Sequence, residues 1–497
     1  MEKNFLFLKN GCAASFDAIP LLHETKFSTA CLQAILEDKC RISAFFAVPK
    51  SGTEQNILVA VLADPEQHGL RIFRGLIGKE YQSLTVHYAG FNRFERDIYE
   101  SCRIIPLGHP NLKPLRFPGG NVGEMEFFGM HGKEVHEVAV GPVHAGVIEP
   151  GHFRFECMGE TVYSLEISLG YQHRGVEKLL ASGPDKRSIH LIETAAGDSS
   201  IAAAWNYCRI IESLGALPPV TEETNILRQI ALELERCANH IGDLGALAGD
   251  VAFLPTASFC GRIRGEYLNM SAMLCGNRFG RNFIIPGSCR YAVSCEKITR
   301  MREWLERVSG ELWNALELMF NSPTVLDRLE NTGTVDRQSA VELGLVGVAA
   351  RACGLKIDIR EDLPPDGVVE VVPVYDKSFS GDVLSRARVR YEELKRSHEF
   401  LFSAFDRCRQ GIELPPGGEE IPDLTPGAIA VSVTEAWRGE LCHVALTDSC
   451  GKFQCVKITD PSMHNWEGLA MALRNEEIAH FPICNKSFNL SYCGHDL

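Results

Sequence analysis

The stretch ILRQIALELERCANHIGDLGAL, residues 226–247, decides the fold of the longest part of this chain. Its aliphatic residues recur at steps of three, four and seven, which places them along one face of a helix. The residues on that face are Ile226, Leu227, Ile230, Leu234, Ile241, Leu244 and Leu247. Residues 301–316 and 383–408 are two further long helical candidates, so the sequence predicts a helical bundle.

Before and after the predicted bundle, apolar residues recur at every second position instead of at helical spacing, and this alternation is typical of strands. The predicted strands cover residues 135–140, 153–157, 163–167, 428–433, 442–447 and 453–458. Asp448-Ser449-Cys450-Gly451 has the composition of a hairpin turn between the last two. Residues 460–466 leave the final strand, and we expect them to fold back onto the bundle.

The first third of the chain has the pattern of a small α/β domain. An amphipathic stretch over residues 27–36 predicts a helix, and β-rich runs predict strands at residues 42–48, 57–63, 70–73 and 84–88. A connector rich in Pro and Gly follows at residues 106–120, which places a boundary near residues 115–130. We therefore predict an α+β protein with domains at residues 1–120 and 121–497.

Composition narrows the functional classes. With 497 residues and 45% hydrophobic residues the chain can bury several cores, and its net charge of −14 makes nucleic acid a poor candidate partner. No apolar run approaches the roughly 20 residues that cross a bilayer, and the N-terminus lacks the features of a signal peptide. The 18 cysteines are scattered without a Cys-x-x-Cys pair, which favours buried thiols in a reducing cytoplasm.

Five segments carry a family resemblance. They are Glu95–Glu100 with Gly108–Arg116, Gly141–His144 with Glu149–Phe155, Gly170–Lys178, Glu233–Leu247, and Gly276–Arg281 with Pro286-Gly287, Leu343–Gly347 and Ala349–Ala352. The first resembles the signature of the thirty-kilodalton-type subunit of complex I. The second and third look like the start of the forty-nine-kilodalton-type subunit, and the whole set resembles the large subunits of group 4 membrane-bound nickel-iron hydrogenases, formate hydrogenlyase among them.

The resemblance implies a fused chain. Residues 1–120 would be a domain like the thirty-kilodalton subunit of complex I, and residues 121–497 a domain like the forty-nine-kilodalton subunit or the hydrogenase large subunit. In this family the nickel-iron pair is held by four thiolates, because soft metals require sulfur ligands. On the family pattern the ligand positions fall on Ala196, Ser199, Ser462 and Asn465. All four thiolates are absent, so we expect no metal to be bound by this chain and no nickel-iron chemistry, and quinone is the one cofactor that stays possible.

Complex I also lacks these cysteines and reduces quinone in the same cavity, so the resemblance makes quinone the leading candidate acceptor. The tyrosine that binds the quinone head group in complex I aligns with Gly197, and its partner histidine aligns with Pro150 or His144. The quinone-binding pair is therefore not reproduced, and a different acceptor stays open.

The candidate catalytic residues are His144, Glu177, Asp198, Asp460 and His464. They are protonatable groups within the matching segments, and a buried carboxylate can have its pKa raised enough to relay protons. For His240 and Asp243, three residues apart on the long helix, we favour hydrogen-bonded helix contacts over a catalytic role.

The resemblance predicts a subunit of a membrane-associated, energy-converting oxidoreductase complex, peripheral on the cytoplasmic face of the membrane. Electrons would pass to quinone or another acceptor, coupled to ion translocation. Expected partners are an iron-sulfur small subunit, a ferredoxin-like subunit and antiporter-like membrane subunits, with NADH and the iron-sulfur clusters bound by partners. Two alternatives are a non-catalytic docking subunit and, ranked last, a hydrogenase with substitute ligands. The sequence leaves open the electron donor and the pumped ion.

Overall fold

The structure, a computed structural model, describes residues 4–49, 55–144, 147–364, 372–414 and 421–497. Helices and strands both contribute extensively, so the predicted α+β class is confirmed. Among the described residues, no helix combines the length and apolar character needed to cross a membrane.

The N-terminal part is a sheet covered by two helices. Its elements are β1 Leu6–Leu8, β2 Cys12–Ser15, β3 Leu21–His23, α1 Glu24–Leu36, β4 Arg41–Pro49, β5 Asn56–Asp64, β6 Gly69–Ile77, β7 Glu80–Gln82, α2 Asn92–Cys102 and β8 Ile105–Leu107. The sheet has the order β1-β6-β5-β4. Strand β1 pairs with residues 70–72 of β6, and β3 pairs with residues 74–76 of the same strand. Phe27 of α1 and Phe94 of α2 pack into the same buried cluster as Phe45 of β4.

Three of the four strands predicted in this part are confirmed, and the strand at residues 84–88 is wrong. Those residues form a turn after the short strand β7. The buried Glu95 carboxylate accepts the backbone N–H of Leu84 at 2.8 Å and of Thr85 at 3.3 Å. Because the N–H groups of Leu84 and Thr85 donate to this carboxylate, they are not used in strand pairing.

The middle of the chain contains a small sheet and the helical bundle. Its elements are β9 Val135–Val140, β10 His152–Met158, β11 Thr161–Ser168, α3 Val176–Leu180, α4 Ser188–Glu193, α5 Ser200–Leu214, α6 Glu222–Asp250, α7 Leu254–Cys275, β12 Ile284–Ile285, β13 Ser288–Cys289, α8 Cys295–Phe320, α9 Pro323–Leu329, α10 Arg337–Glu342, α11 Gly347–Ala352, α12 Ile359–Asp362 and α13 Val383–Arg407. The three predicted long helices are confirmed as α6, α8 and α13. Helices α5 and α7 were not predicted.

Local sequence explains where the long helices begin. Thr221 caps α6 by accepting the N–H of Thr224, and two glutamates in the first turn complement the helix dipole. Ser294 caps α8 and Asp382 caps α13 in the same way. The predicted stripe of α6 is buried, with Ile230, Leu234 and Ile241 fully enclosed.

The C-terminal part returns to the sheet. Its elements are β14 Ala428–Ala436, β15 Gly439–Thr447, β16 Phe453–Thr459, α14 Pro461–Ala472, α15 Phe481–Phe488 and α16 Tyr492–Asp496. The three predicted strands are confirmed, and the chain turns back after β16 into α14. The order of this sheet is β16-β15-β14-β2, so an N-terminal strand completes it. The two halves of the chain thus share a sheet.

Candidate functional site

A bidentate ion pair lies at the centre of the candidate site. Asp198 stands in the loop between α4 and α5, and Arg438 stands in the tight turn between β14 and β15. The Arg438 Nη1 donates to Asp198 Oδ1 at 2.7 Å, and Nη2 donates to Oδ2 at 2.8 Å. Burial by itself would raise the pKa of the Asp198 carboxyl, but the Arg438 guanidinium outweighs it and the pKa is lowered. Asp198 is therefore held ionised.

The backbone of Asp198 is fixed as firmly as its side chain. Its carbonyl oxygen accepts the Trp437 Nε1–H at 3.0 Å and the Asn239 Nδ2–H at 2.8 Å. The Arg438 guanidinium carbon lies 3.9 Å from the centre of the Trp437 ring, and its Nε donates to the Asn489 carbonyl at 2.6 Å. The loop, the hairpin turn and the C-terminal segment therefore meet at one point.

Asp460 belongs to the same cluster. It caps α14, where Oδ1 accepts the backbone N–H of Ser462 at 2.8 Å. Burial raises the pKa of the Asp460 carboxyl; Arg438 acts in the opposite direction, and nearby Asp198 raises it further. Asp198 and Asp460 thus share one arginine while differing in their tendency to hold a proton.

The other three predicted residues lie in different surroundings. Glu177 accepts the Lys457 ammonium at 2.7 Å and the backbone N–H of Ile458 at 3.0 Å. His464 is buried with its ring centre 5.3 Å from that of Phe94, and burial lowers its pKa to about 3. His144 is exposed, close after β9.

The four residues that the resemblance assigns to the thiolate positions, Ala196, Ser199, Ser462 and Asn465, are buried, and two of their side chains are bound to main-chain groups. The Ser462 hydroxyl accepts the backbone N–H of Ser491 at 2.8 Å. The Asn465 amide bonds both the N–H and the carbonyl of Val346, at 3.0 and 3.1 Å. Ala196 offers no ligand atom. This donor set does not fit a nickel-iron pair, and the described residues contain no group of three His, Cys, Asp or Glu side chains that could hold a metal ion.

A buried ionic layer lies behind the site, between α6 and α13. The His240 Nε2 lies 2.7 Å from the Glu393 carboxylate, and the Arg390 Nε donates to Asp243 at 2.9 Å. Asn489 joins this layer to the site, because its Nδ2 donates to Asp243 at 2.6 Å while its carbonyl binds Arg438. The prediction of hydrogen-bonded helix contacts for His240 and Asp243 is confirmed.

The sequence prediction missed Arg438, Glu235 and Arg281. Glu235 accepts the N–H groups of Ile201 and Ala202 at the start of α5, at 2.8 and 3.3 Å, and burial raises its pKa to about 8. The Arg281 Nη2 lies 3.3 Å from the place that a Cβ on Gly197 would take. Glu235 stands in a quoted segment, but its role depends on a contact with a helix that was not predicted. The Arg438 turn has the pattern of an exposed hairpin tip.

Comparison with known proteins agrees with this architecture. Residues 250–415 match the family described as the respiratory-chain NADH dehydrogenase 49 kDa subunit. The chain is 27% identical to the carbon monoxide-induced hydrogenase of Rhodospirillum rubrum, over 71% of this chain and 97% of that protein. It is 26% identical to formate hydrogenlyase subunit 5 of Escherichia coli, over 83% and 76% of the two chains.

Two further relatives extend the comparison. NADH-quinone oxidoreductase subunit 4 of Thermus thermophilus is 26% identical over 69% of this chain and 90% of its own length. A chain of the membrane-bound sulfane sulfur reductase, an archaeal respiratory membrane complex, shares the fold with a TM-score of 0.66 at 22% identity, over 73% of this chain and 99% of that one. Residues 250–415 therefore belong to a complex I 49 kDa-type domain, and the homologues of the chain are subunits of membrane-bound hydrogenases and of NADH-quinone oxidoreductases.

Proposed function

We propose that this chain is a subunit of a membrane-associated, energy-converting oxidoreductase complex and works without nickel-iron chemistry. It would pass electrons to quinone or another acceptor, coupled to ion translocation. The observation that carries the proposal is the Asp198–Arg438 ion pair, set among four ligand positions that offer no thiolate. On the family pattern, this charged, hydrogen-bonded cluster lies beside the positions at which the related hydrogenases would hold their metals.

The chemistry we assign to these residues is proton supply. Reduction of a quinone to a quinol takes two electrons and two protons. Glu235, with a pKa of about 8, is protonated at neutral pH, and burial also raises the pKa of Asp460. Arg438 holds Asp198 ionised and fixes the position of its carboxylate. Negative charge arriving nearby would favour proton uptake by these carboxyl groups.

The proposal includes partners. An iron-sulfur small subunit would deliver the electrons, and a ferredoxin-like subunit would precede it in the electron-transfer chain. Antiporter-like membrane subunits would anchor the complex. NADH and the clusters would be bound by these partners. Residues 1–120 would be the domain like the thirty-kilodalton subunit of complex I, and the chain would lie peripherally on the cytoplasmic face of the membrane.

A non-catalytic docking subunit is the second candidate. One observation favours it: the side chains of Ser462 and Asn465 are already engaged by the main chain, as expected for positions that have become structural. In that case the cluster would hold the α14 end of the molecule together, and the acceptor would bind elsewhere in the complex.

The test is to purify the intact complex, determine nickel by elemental analysis and assay reduction of a soluble quinone. Asp198→Asn removes the charge that Arg438 binds, and we expect turnover to fall at least tenfold. Asp185→Asn is the matched control, because Asp185 forms an exposed ion pair with Arg187. Turnover unchanged by Asp198→Asn, or absent with every donor, would favour the docking role. One nickel atom per chain would overturn the proposal.

A further inference from the structure

A cavity separate from the Asp198 cluster lies between the N-terminal α2 and the C-terminal half. Its volume is about 550 Å³, within the range of small-molecule sites. Arg93 and Arg96 of α2 line one side, and β11 and α14 line another. Phe127 and Phe128, which follow the connector, line a third side.

Arg96 contributes a buried cation to this cavity. The residue is only 4% exposed. Its Nε donates to the Lys113 carbonyl at 2.9 Å and its Nη2 to the Pro114 carbonyl at 2.6 Å, and among the described residues no carboxylate lies within ion-pair distance of it. Burial, with nearby Arg93, lowers the pKa of Arg96 to about 10, so it is still charged at neutral pH.

The acidic residues near Arg96 form ion pairs or hydrogen bonds with other groups. Glu467 pairs with Arg93 at 3.1 Å, and Glu166 pairs with Lys113 at 2.5 Å while accepting the N–H of Phe128. Glu100 accepts three backbone N–H groups of residues 115–117. Glu126 also lines the cavity, but it is exposed and its charge is screened by water. One buried positive charge is therefore left without an anion.

Part of the lining beside this charge is apolar and aromatic, and polar residues such as Asn111 and Ser164 belong to it as well. Phe127 is held by the Arg154 guanidinium, 4.5 Å from the ring centre, and by contact with His152. Leu165, Ile167 and Ala470 add apolar surface to the lining. A ligand that fits must offer both an anionic group for Arg96 and an apolar or flat body for this apolar part of the lining.

We propose that this cavity binds a small organic anion, a carboxylate or phosphate that carries an apolar or aromatic part, with its charged group on Arg96. The site is distinct from the proposed electron-transfer cluster and does not depend on it. An anion seated here would contact both halves of the chain at once. Its binding would therefore stabilise their packing.

The probe is 4-fluorobenzoate, and its binding to the full chain is measured by fluorine NMR. The neutral 4-fluorobenzamide is the matched analogue. We expect the benzoate to bind at least tenfold more tightly than the amide, and inorganic phosphate to compete with it. Arg96→Gln should weaken benzoate binding at least tenfold, and Arg96→Lys should retain part of it. Ala470→Phe, which fills the cavity while leaving Arg96 in place, should abolish binding.

Arg187→Gln removes an exposed arginine that is not part of the cavity lining and should leave binding unchanged. Equal affinity for the amide, or benzoate binding that survives both Arg96→Gln and Ala470→Phe, would overturn the proposal. So would the absence of binding in the millimolar range. If Arg96→Gln does not fold, the Ala470→Phe and amide comparisons still decide the outcome.

Discussion

At the scale of single residues, burial sets the behaviour of the charged groups around Asp198. Burial acts to raise the pKa of both carboxyl groups. At Asp198 the bound Arg438 guanidinium outweighs burial and the pKa is lowered, whereas Glu235, which accepts backbone N–H groups, has a raised pKa. The bound guanidinium decides the direction of the pKa shift at Asp198, and burial decides it at Glu235. Two carboxyl groups in the same part of the fold can therefore hold opposite protonation states at neutral pH.

Glu235 makes the stability of the protein depend on pH. Its pKa is raised from 4.5 to about 8 in the folded state, so its contribution to stability is complete below pH 4.5 and is lost as the pH rises towards 8. Relative to Glu235→Gln, the wild-type free energy of unfolding should fall by about 1.4 kcal/mol per pH unit in this window. Urea unfolding at pH 5, 6, 7 and 8 measures the difference.

Glu212→Gln is the control for this comparison of unfolding free energies. Unlike Glu235, the Glu212 carboxylate forms an ion pair, with Arg228 at 2.6 Å. A difference between wild type and Glu235→Gln that stays constant from pH 5 to 8 would contradict the raised pKa of Glu235.

At the scale of elements, the turn between β14 and β15 is buried against the start of α11. Gly347 has φ +62°, and a Cβ on it would lie 2.1 Å from the Arg438 carbonyl oxygen. Gly439 approaches from the other side, where a Cβ would lie 2.7 Å from the Gly347 Cα. Two backbones touch here, and only glycine allows the approach that holds Arg438 next to Asp198.

Gly347→Ala should therefore be costly in both stability and site geometry. We expect it to lower the free energy of unfolding by about 1–3 kcal/mol more than Gly276→Ala, from the steric clash alone. Gly276 is the matched control, since it also has positive φ, at +75°, but a Cβ there would meet nothing within 4 Å. Thermal unfolding of the two variants measures the difference, and equal losses would show that the close contact does not constrain the turn.

At the scale of the whole molecule, the two halves of the chain share a core. Val59 and Val61 of the N-terminal sheet pack in one cluster with Ile429 and Val431 of β14. Lys457 links the halves by charge as well, because its ammonium lies 2.8 Å from Asp97 and 2.7 Å from Glu177. Packing and ion pairs both cross the boundary that the connector at residues 106–120 suggests.

A fragment of residues 121–497 should consequently not reach the native state by itself. It would expose the apolar face of β14 and leave that strand without its partner β2. We expect it to aggregate or to unfold without a cooperative transition, as judged by size-exclusion chromatography and circular dichroism beside the full chain. Addition of residues 1–120 should restore solubility. A monomeric fragment that unfolds cooperatively would instead establish two independent domains.

The sequence by itself determined three of the long helices, α6, α8 and α13, most of the strands and the absence of the four thiolates. Helical and strand periods are local properties of α6 or β15, and a missing ligand is a matter of residue type. Only the tertiary structure decided that Glu177 pairs with Lys457 and that Arg438, 240 residues from Asp198, becomes its partner. Such pairings depend on how distant elements pack. No local pattern distinguishes a buried hairpin turn from an exposed one.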